Sequence, residues 1–145
     1  SELEKLQQRV KDEHIDNVIF KGFVEKKYIP YILSRSSVNV LNYSQSNYNW
    51  SRGNSSNKLF EYMASGKPII STVKMGYCIL DKYQCGLSLE ECTPQALAEQ
   101  ILKIHDMPAE TYAQMAHNAQ EGAKDFDFSV LTERLYHVIE SVEQK

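Results

Sequence analysis

The sequence is short of the features that mark several protein classes. No stretch approaches the roughly 18 apolar residues that a membrane-crossing helix requires. No charged-then-apolar leader opens the chain. Lys and Arg number 16 against 19 Asp and Glu, for a formal net charge of −3, and the basic residues form no cluster. Binding of a polyanion through bulk charge is therefore disfavoured. There are three cysteines, Cys78, Cys85 and Cys92, with no CxxC pair. A zinc site needs closer paired ligands, and His14, His105, His117 and His137 lie far from the thiols. Three reduced, partly buried cysteines in a cytosolic protein are the expectation. Nothing repeats and nothing is low in complexity.

What is present suits a globular domain. The 145 residues are 42% hydrophobic and 24% charged, enough for one domain over residues 1–145 with a real core. Helical and extended patterns alternate. Leu3, Leu6 and Val10 predict an amphipathic helix over 2–13. Asn17-Val18-Ile19-Phe20 predicts a short strand ended by Gly22. Tyr28, Ile29, Ile32 and Leu33 form a second helical stripe, with Pro30 in the first turn, where a missing N–H costs little. Val38-Asn39-Val40-Leu41 predicts the next strand. Residues 42–56 then form a polar loop, and loops of that length in compact domains are often functional. Residues 57–65 predict a helix with Leu59, Phe60, Met63 and Ala64 on its apolar side and Gly66 as its stop. Strands over 68–73 and 86–89 and helices over 94–105, 109–124 and 129–143 complete the reading.

This alternation predicts an α/β fold, a Rossmann-like three-layer α/β/α arrangement around a mostly parallel sheet. Ligands of such sheets bind beyond the carboxyl ends of the strands. Three places qualify: the turn Gly22-Phe23-Val24, the loop 42–56, and residues 72–76.

The sharpest motif is Ser55-Ser56-Asn57-Lys58-Leu59-Phe60-Glu61-Tyr62-Met63-Ala64-Ser65-Gly66-Lys67-Pro68. Ser55 and Ser56 precede a helix start, where main-chain N–H groups lack intrahelical partners. The helix dipole adds roughly half a positive charge there, and the two effects make an anion site suited to a pyrophosphate. Lys58 in the first turn opposes the dipole unless a ligand phosphate offsets it; the alternative is a solvated lysine. Glu61 shares a side with Asn57, Lys58 and Ser65, opposite Leu59 and Met63. It could accept two ribose hydroxyls, or pair on the surface with Lys58 or Ser65.

The run from Asn57 through Lys67-Pro68-Ile69-Ile70 resembles the signature of retaining, Leloir-type glycosyltransferases of the GT-B, family 4 group (glycosyl transferases group 1). It is most similar to bacterial capsule, O-antigen and exopolysaccharide members. Asn17-Val18-Ile19-Phe20-Lys21-Gly22-Phe23-Val24 resembles the strand and turn near the nucleotide base. Ser37-Val38-Asn39-Val40-Leu41-Asn42-Tyr43-Ser44 resembles the strand that ends in the family's cleft serine. The resemblance implies the C-terminal, donor-binding domain. It implies that Glu61 holds the donor ribose, that amides of Ser55, Ser56 and Asn57 cradle the diphosphate, and that Lys58 contacts a phosphate. Phe23 and Val24 would meet the base, mostly through backbone, and Ser44 would line the cleft. No catalytic residue and no metal ligand is assigned.

The resemblance further implies a UDP- or GDP-sugar as donor and no other cofactor. A hexose would pass to an acceptor sugar or glycolipid with its anomeric configuration kept, in bacterial polysaccharide or glycoconjugate synthesis. The acceptor would be bound by an N-terminal domain. A cytoplasmic protein is implied, peripheral at the inner membrane when full length, with no nucleic-acid partner. Alternatives are a non-catalytic nucleotide-sugar-binding or scaffold domain and a GT-B nucleotide-sugar epimerase. A flavodoxin-like signalling domain would need an acidic cluster after the first strand, and none is present.

Three departures stand out. Gly53 occupies the place where many members carry a first glutamate, leaving Arg52, Asn54 or residues 47–50 to meet the sugar. Lys74-Met75-Gly76 replaces a Gly-Gly turn. The chain starts after the family's first strands and basic pair and lacks the acceptor domain, so alone it is expected to be inactive. Tyr28, Tyr31, Tyr62 and Tyr136 read as half-buried helix residues, whereas Tyr43, Tyr48 and Trp50 in the cleft loop are candidates for sugar stacking.

Overall fold

The computed structural model describes residues 1–43 and 56–143. Helix α1 (Glu2–Asp12) is followed by a 3-10 turn at Lys26–Tyr28, helix α2 (Ile29–Arg35) and strand β1 (Asn39–Leu41). Helix α3 (Asn57–Ala64), strand β2 (Ile69–Ser71), helix α4 (Ile79–Tyr83) and strand β3 (Gly86–Ser88) come next. The chain continues as α5 (Pro94–His105), α6 (Ala109–Lys124) and α7 (Phe128–Glu143). The strands form one sheet in the order β1-β2-β3, and both pairings are parallel. Asn39 stands opposite Ile69, and Ile69 opposite Gly86. The expected α/β architecture is present, and the sheet is parallel throughout the described residues.

Side chains on a strand alternate between faces, and this splits the core in two. Leu41 and Ile69 point to one face, where Leu59 and Met63 of α3, Ile79 and Leu80 of α4 and Ala119 of α6 cover them. Ile70 points to the other, with Leu89 and Ile104 of α5. Parallel strands buried on both faces are continuously apolar, as Pro68-Ile69-Ile70 is, with each residue buried. Helix ends follow their local chemistry. Thr93 accepts from the Ala96 amide (3.1 Å) with Pro94 opening α5. Gly66 adopts φ 64° past the end of α3, and its amide donates to the Met63 carbonyl (3.0 Å).

Several expectations need correction. Residues 17–20 form no strand. An extended segment becomes a strand only by sharing main-chain hydrogen bonds, and the described ones join β1 to β2 and β2 to β3, none of them reaching residues 17–20. Val18 and Ile19 accordingly stay 44% and 74% exposed. Each of the three strands is three residues long, shorter than the segment predicted for it, because pairing and not composition sets its ends. Helix α4 has no sequence counterpart in the prediction. Its five residues are too few to show a period and carry no side-chain N-cap; burial of Ile79 and Leu80 holds it. Tyr28, Tyr31 and Tyr136 are exposed rather than half-buried, because the helices carrying them present those faces outward. Among the described residues no helix is long and apolar enough to cross a membrane.

Strand β3 approaches β2 so closely that only glycine fits at residue 86. A Cβ there would lie 2.1 Å from the Ile69 carbonyl oxygen, a main-chain atom that cannot step aside. Gly86→Ala is expected to destabilise the fold by about 3 kcal/mol, the upper part of the usual overpacking range. Urea denaturation checks this, and a change below about 0.5 kcal/mol, within the range of ordinary surface substitutions, would contradict the close packing.

Candidate functional site

The carboxyl ends of β1 and β2 meet the amino end of α3. Thr72, one residue past β2 and 2% exposed, is the junction. Its hydroxyl oxygen accepts from the Tyr43 amide at 2.8 Å, and the Thr72 amide donates to the Leu41 carbonyl at 3.0 Å. Tyr43 then reaches across, and its hydroxyl shares a 2.6 Å hydrogen bond with the Ser56 hydroxyl. Ser56 is the N-cap of α3, with φ −69° and ψ 141°, yet its side chain makes no capping bond to the helix. The Leu59 amide turns back to the Ser56 carbonyl (3.0 Å). The amides of Asn57 and Lys58 have no acceptor among the described residues. Tyr43, near the start of the predicted loop 42–56, and Thr72, the first residue of the predicted place at 72–76, thus meet this helix start, while residues 44–55 of that loop lie outside the described residues.

Glu61 lies one turn further along α3. It is exposed and lines a cavity of about 360 Å³ whose walls include Lys26, Ile29, Pro30, Leu33 and Ala64. The surface pairings open to Glu61 on sequence grounds are not made. The Ser65 hydroxyl donates to the Tyr62 carbonyl (2.6 Å) and accepts from the Asn39 side-chain Nδ2 (3.0 Å). Among the described residues no ion pair joins Glu61 to Lys58. Asn39 is 5% exposed and accepts in turn from Ser36 (2.8 Å). This buried polar chain ties β1 to the end of α3 and sets the rotation of the helix about its axis. Burial raises the Tyr62 phenol above its ordinary value, with Tyr43 and Glu61 adding to the shift.

Ser44 and Ser55 lie outside the described residues, as do Tyr48, Trp50, Arg52, Gly53 and Asn54. Of the remaining predicted residues, Ser56, Asn57, Lys58 and Glu61 fall together on the first turns of α3. Phe23 is 94% exposed and Val24 half-buried, on the segment leading to Lys26 at the cavity rim. Lys74 is turned away into an ion pair with Glu90, which holds its ammonium above the ordinary range. Sequence reasoning missed the Thr72–Tyr43–Ser56 linkage. Tyr43 was legible only as a loop aromatic, and its hydroxyl partner depends on how β1 and α3 are placed.

The cysteines are no part of this site. Cys85 is fully buried, and burial pushes its thiol up to about 12. Cys78 is half-buried beside the Ser88 hydroxyl, and Cys92 is exposed rather than partly buried, since it sits in the turn before α5. Reaction needs the thiolate. A chromogenic disulfide reagent at pH 8 is therefore expected to label Cys92 at once and Cys85 only on unfolding. Rapid labelling of Cys85 in the native protein would contradict its burial.

Residues 1–122 match the family model described as "Glycosyl transferases group 1". No curated protein matches the chain. Among solved structures it is similar to sucrose-phosphate synthase from Thermosynechococcus elongatus, at 21% identity and TM-score 0.71 over 97% of this chain and 35% of that one. It is also similar to Anabaena HepE in complex with UDP-glucose, at 22% identity and TM-score 0.70 over 96% of this chain and 36% of that one. The chain thus spans about a third of the length of these structures.

Proposed function

The chain belongs to the group 1 glycosyl transferases, and we propose that it forms the part of such an enzyme that holds a nucleoside-diphosphate sugar. One observation carries this reading: Glu61 lines a cavity about one helical turn, about 5 Å of axial rise, from two main-chain amides that have no acceptor among the described residues. Amides at a helix start attract phosphate oxygens, and a carboxylate can accept two hydroxyls from a ribose. The spacing suits a donor whose diphosphate lies at Asn57 and Lys58 and whose nucleoside enters the cavity. Ile29, Pro30 and Leu33 offer the apolar wall that a base needs. The match to a HepE structure holding UDP-glucose supports UDP as the first nucleotide to try; a GDP-sugar is the alternative.

The full enzyme would transfer a hexose to an acceptor hydroxyl with retention, in bacterial polysaccharide or glycoconjugate synthesis. The barrier in such transfer is departure of the diphosphate from an oxocarbenium-like centre. In this reading the α3 dipole and the Lys58 ammonium would face the negative charge that grows on the leaving group and stabilise it more than the ground state. The acceptor would come from a second domain, with the protein cytoplasmic and peripheral to the membrane. A second reading, a binding domain without catalysis, is favoured by Gly53 at the place of the family's first glutamate.

Thermal shift of the full-length protein against UDP, GDP, ADP and TDP is expected to show stabilisation by one of them. Glu61→Ala is expected to weaken that nucleotide at least tenfold, since hydrogen bonds to a charged group contribute about 1.5–3 kcal/mol. Unchanged affinity by calorimetry would remove Glu61 from the site. With radiolabelled donor, the full-length protein is expected to transfer sugar and the 145-residue chain is not. Tight donor binding without transfer by the full-length protein would favour the non-catalytic reading instead.

A further inference from the structure

Serine at an N-cap ordinarily turns its hydroxyl onto the second or third amide of its helix. Ser56 has the extended backbone of an N-cap, but its hydroxyl is hydrogen-bonded to Tyr43 at 2.6 Å and makes no capping bond. Self-capping and ligand binding compete for the same donors, because a capped amide no longer offers its hydrogen to a phosphate. Tyr43 is in turn fixed by its main chain, its amide donating to the buried Thr72 hydroxyl at 2.8 Å and its carbonyl accepting from that hydroxyl at 3.1 Å. We infer that Tyr43 is a positioning residue that draws the Ser56 hydroxyl off the start of α3 and so keeps the Lys58 amide available to the donor diphosphate. This rests on the donor-binding reading above and adds to it the residue that keeps the helix start open.

A positioning role for Tyr43 has a signature that a structural role lacks. Removing the phenol hydroxyl frees Ser56 to cap the helix, so diphosphate binding weakens although no group that touches the ligand has changed. Removing the Ser56 hydroxyl as well makes self-capping impossible and restores the open amide. The nucleoside alone, which makes no phosphate contact, is indifferent to both changes.

The experiment is calorimetric titration of UDP and of uridine into full-length protein carrying Tyr43→Phe, Ser56→Ala, or both. GDP and guanosine are used instead if thermal shift selects GDP. Tyr43→Phe is expected to bind the diphosphate about fivefold more weakly, the factor set by one N-cap hydrogen bond of typical strength, with nucleoside affinity unchanged. The double variant is expected to bind the diphosphate more tightly than Tyr43→Phe alone. A Tyr43→Phe protein with unaltered diphosphate affinity, or a double variant weaker than the single one, overturns the inference and leaves the donor-binding reading standing. Wild-type protein that binds no nucleoside diphosphate overturns both. Should Tyr43→Phe not fold, Ser56→Asn puts the same question, since asparagine caps as well as serine and is not held by Tyr43 in the same way. It is expected to weaken the diphosphate and not the nucleoside, and equal affinity for the diphosphate counts against the inference.

Discussion

Helix α3 works under two opposed demands. One side is buried against the sheet and α6, while at its amino end the amides of Asn57 and Lys58 have no acceptor among the described residues and, in the proposed function, are kept for the diphosphate. Met63 is fully buried and Leu59 nearly so, and the packing around Met63 leaves so little room that a Cβ on Gly122 would come within 2.8 Å of its Cε. The stacked rings of Phe60 and Phe126 (4.4 Å between centroids) and the edge contact of Tyr83 with Phe126 (5.9 Å) continue this seam. Tight packing of one helix side resists rotation, and this resistance keeps the exposed Glu61 at the cavity.

The polar connections serve the same end. Asn39, Ser36 and Ser65 form a chain that joins the end of α2, strand β1 and the last turn of α3. Thr72 and Tyr43 do the corresponding work at the other end of the helix. A buried polar group left without a partner costs more than the hydrogen bond contributes, so these links fix geometry more than they add stability. Each end of α3 is thereby tied to β1 or the residues that follow it, while the sheet provides the rigid base.

The molecule is uneven in how its elements are held. Helix α1 depends on local devices: a capping box between Ser1 and Glu4 and ion pairs of Lys5 with Glu2 and Arg9 with Glu13. None of its residues is buried, and the same holds for α2. The tightly packed centre lies instead where strand ends, α3 and α6 come together, which is where the candidate donor site is built.

The amino-acid sequence by itself determined the helices and their ends, because caps, prolines and glycines act over a few residues. Helices α5 and α6 match the expected limits, and α3 ends one residue short of its prediction, at Gly66's left-handed turn. It also placed Ser56, Asn57, Lys58 and Glu61 on one short helix, since 3.6-residue periodicity is a local property. Only tertiary structure could refuse a strand to residues 17–20, because a strand exists through its neighbour. Only tertiary structure could give helix α4 its hold through buried Ile79 and Leu80. The pairing of Tyr43 with Ser56 was likewise invisible in the chain, because it depends on where a strand end and a helix start are brought together by the core beneath them.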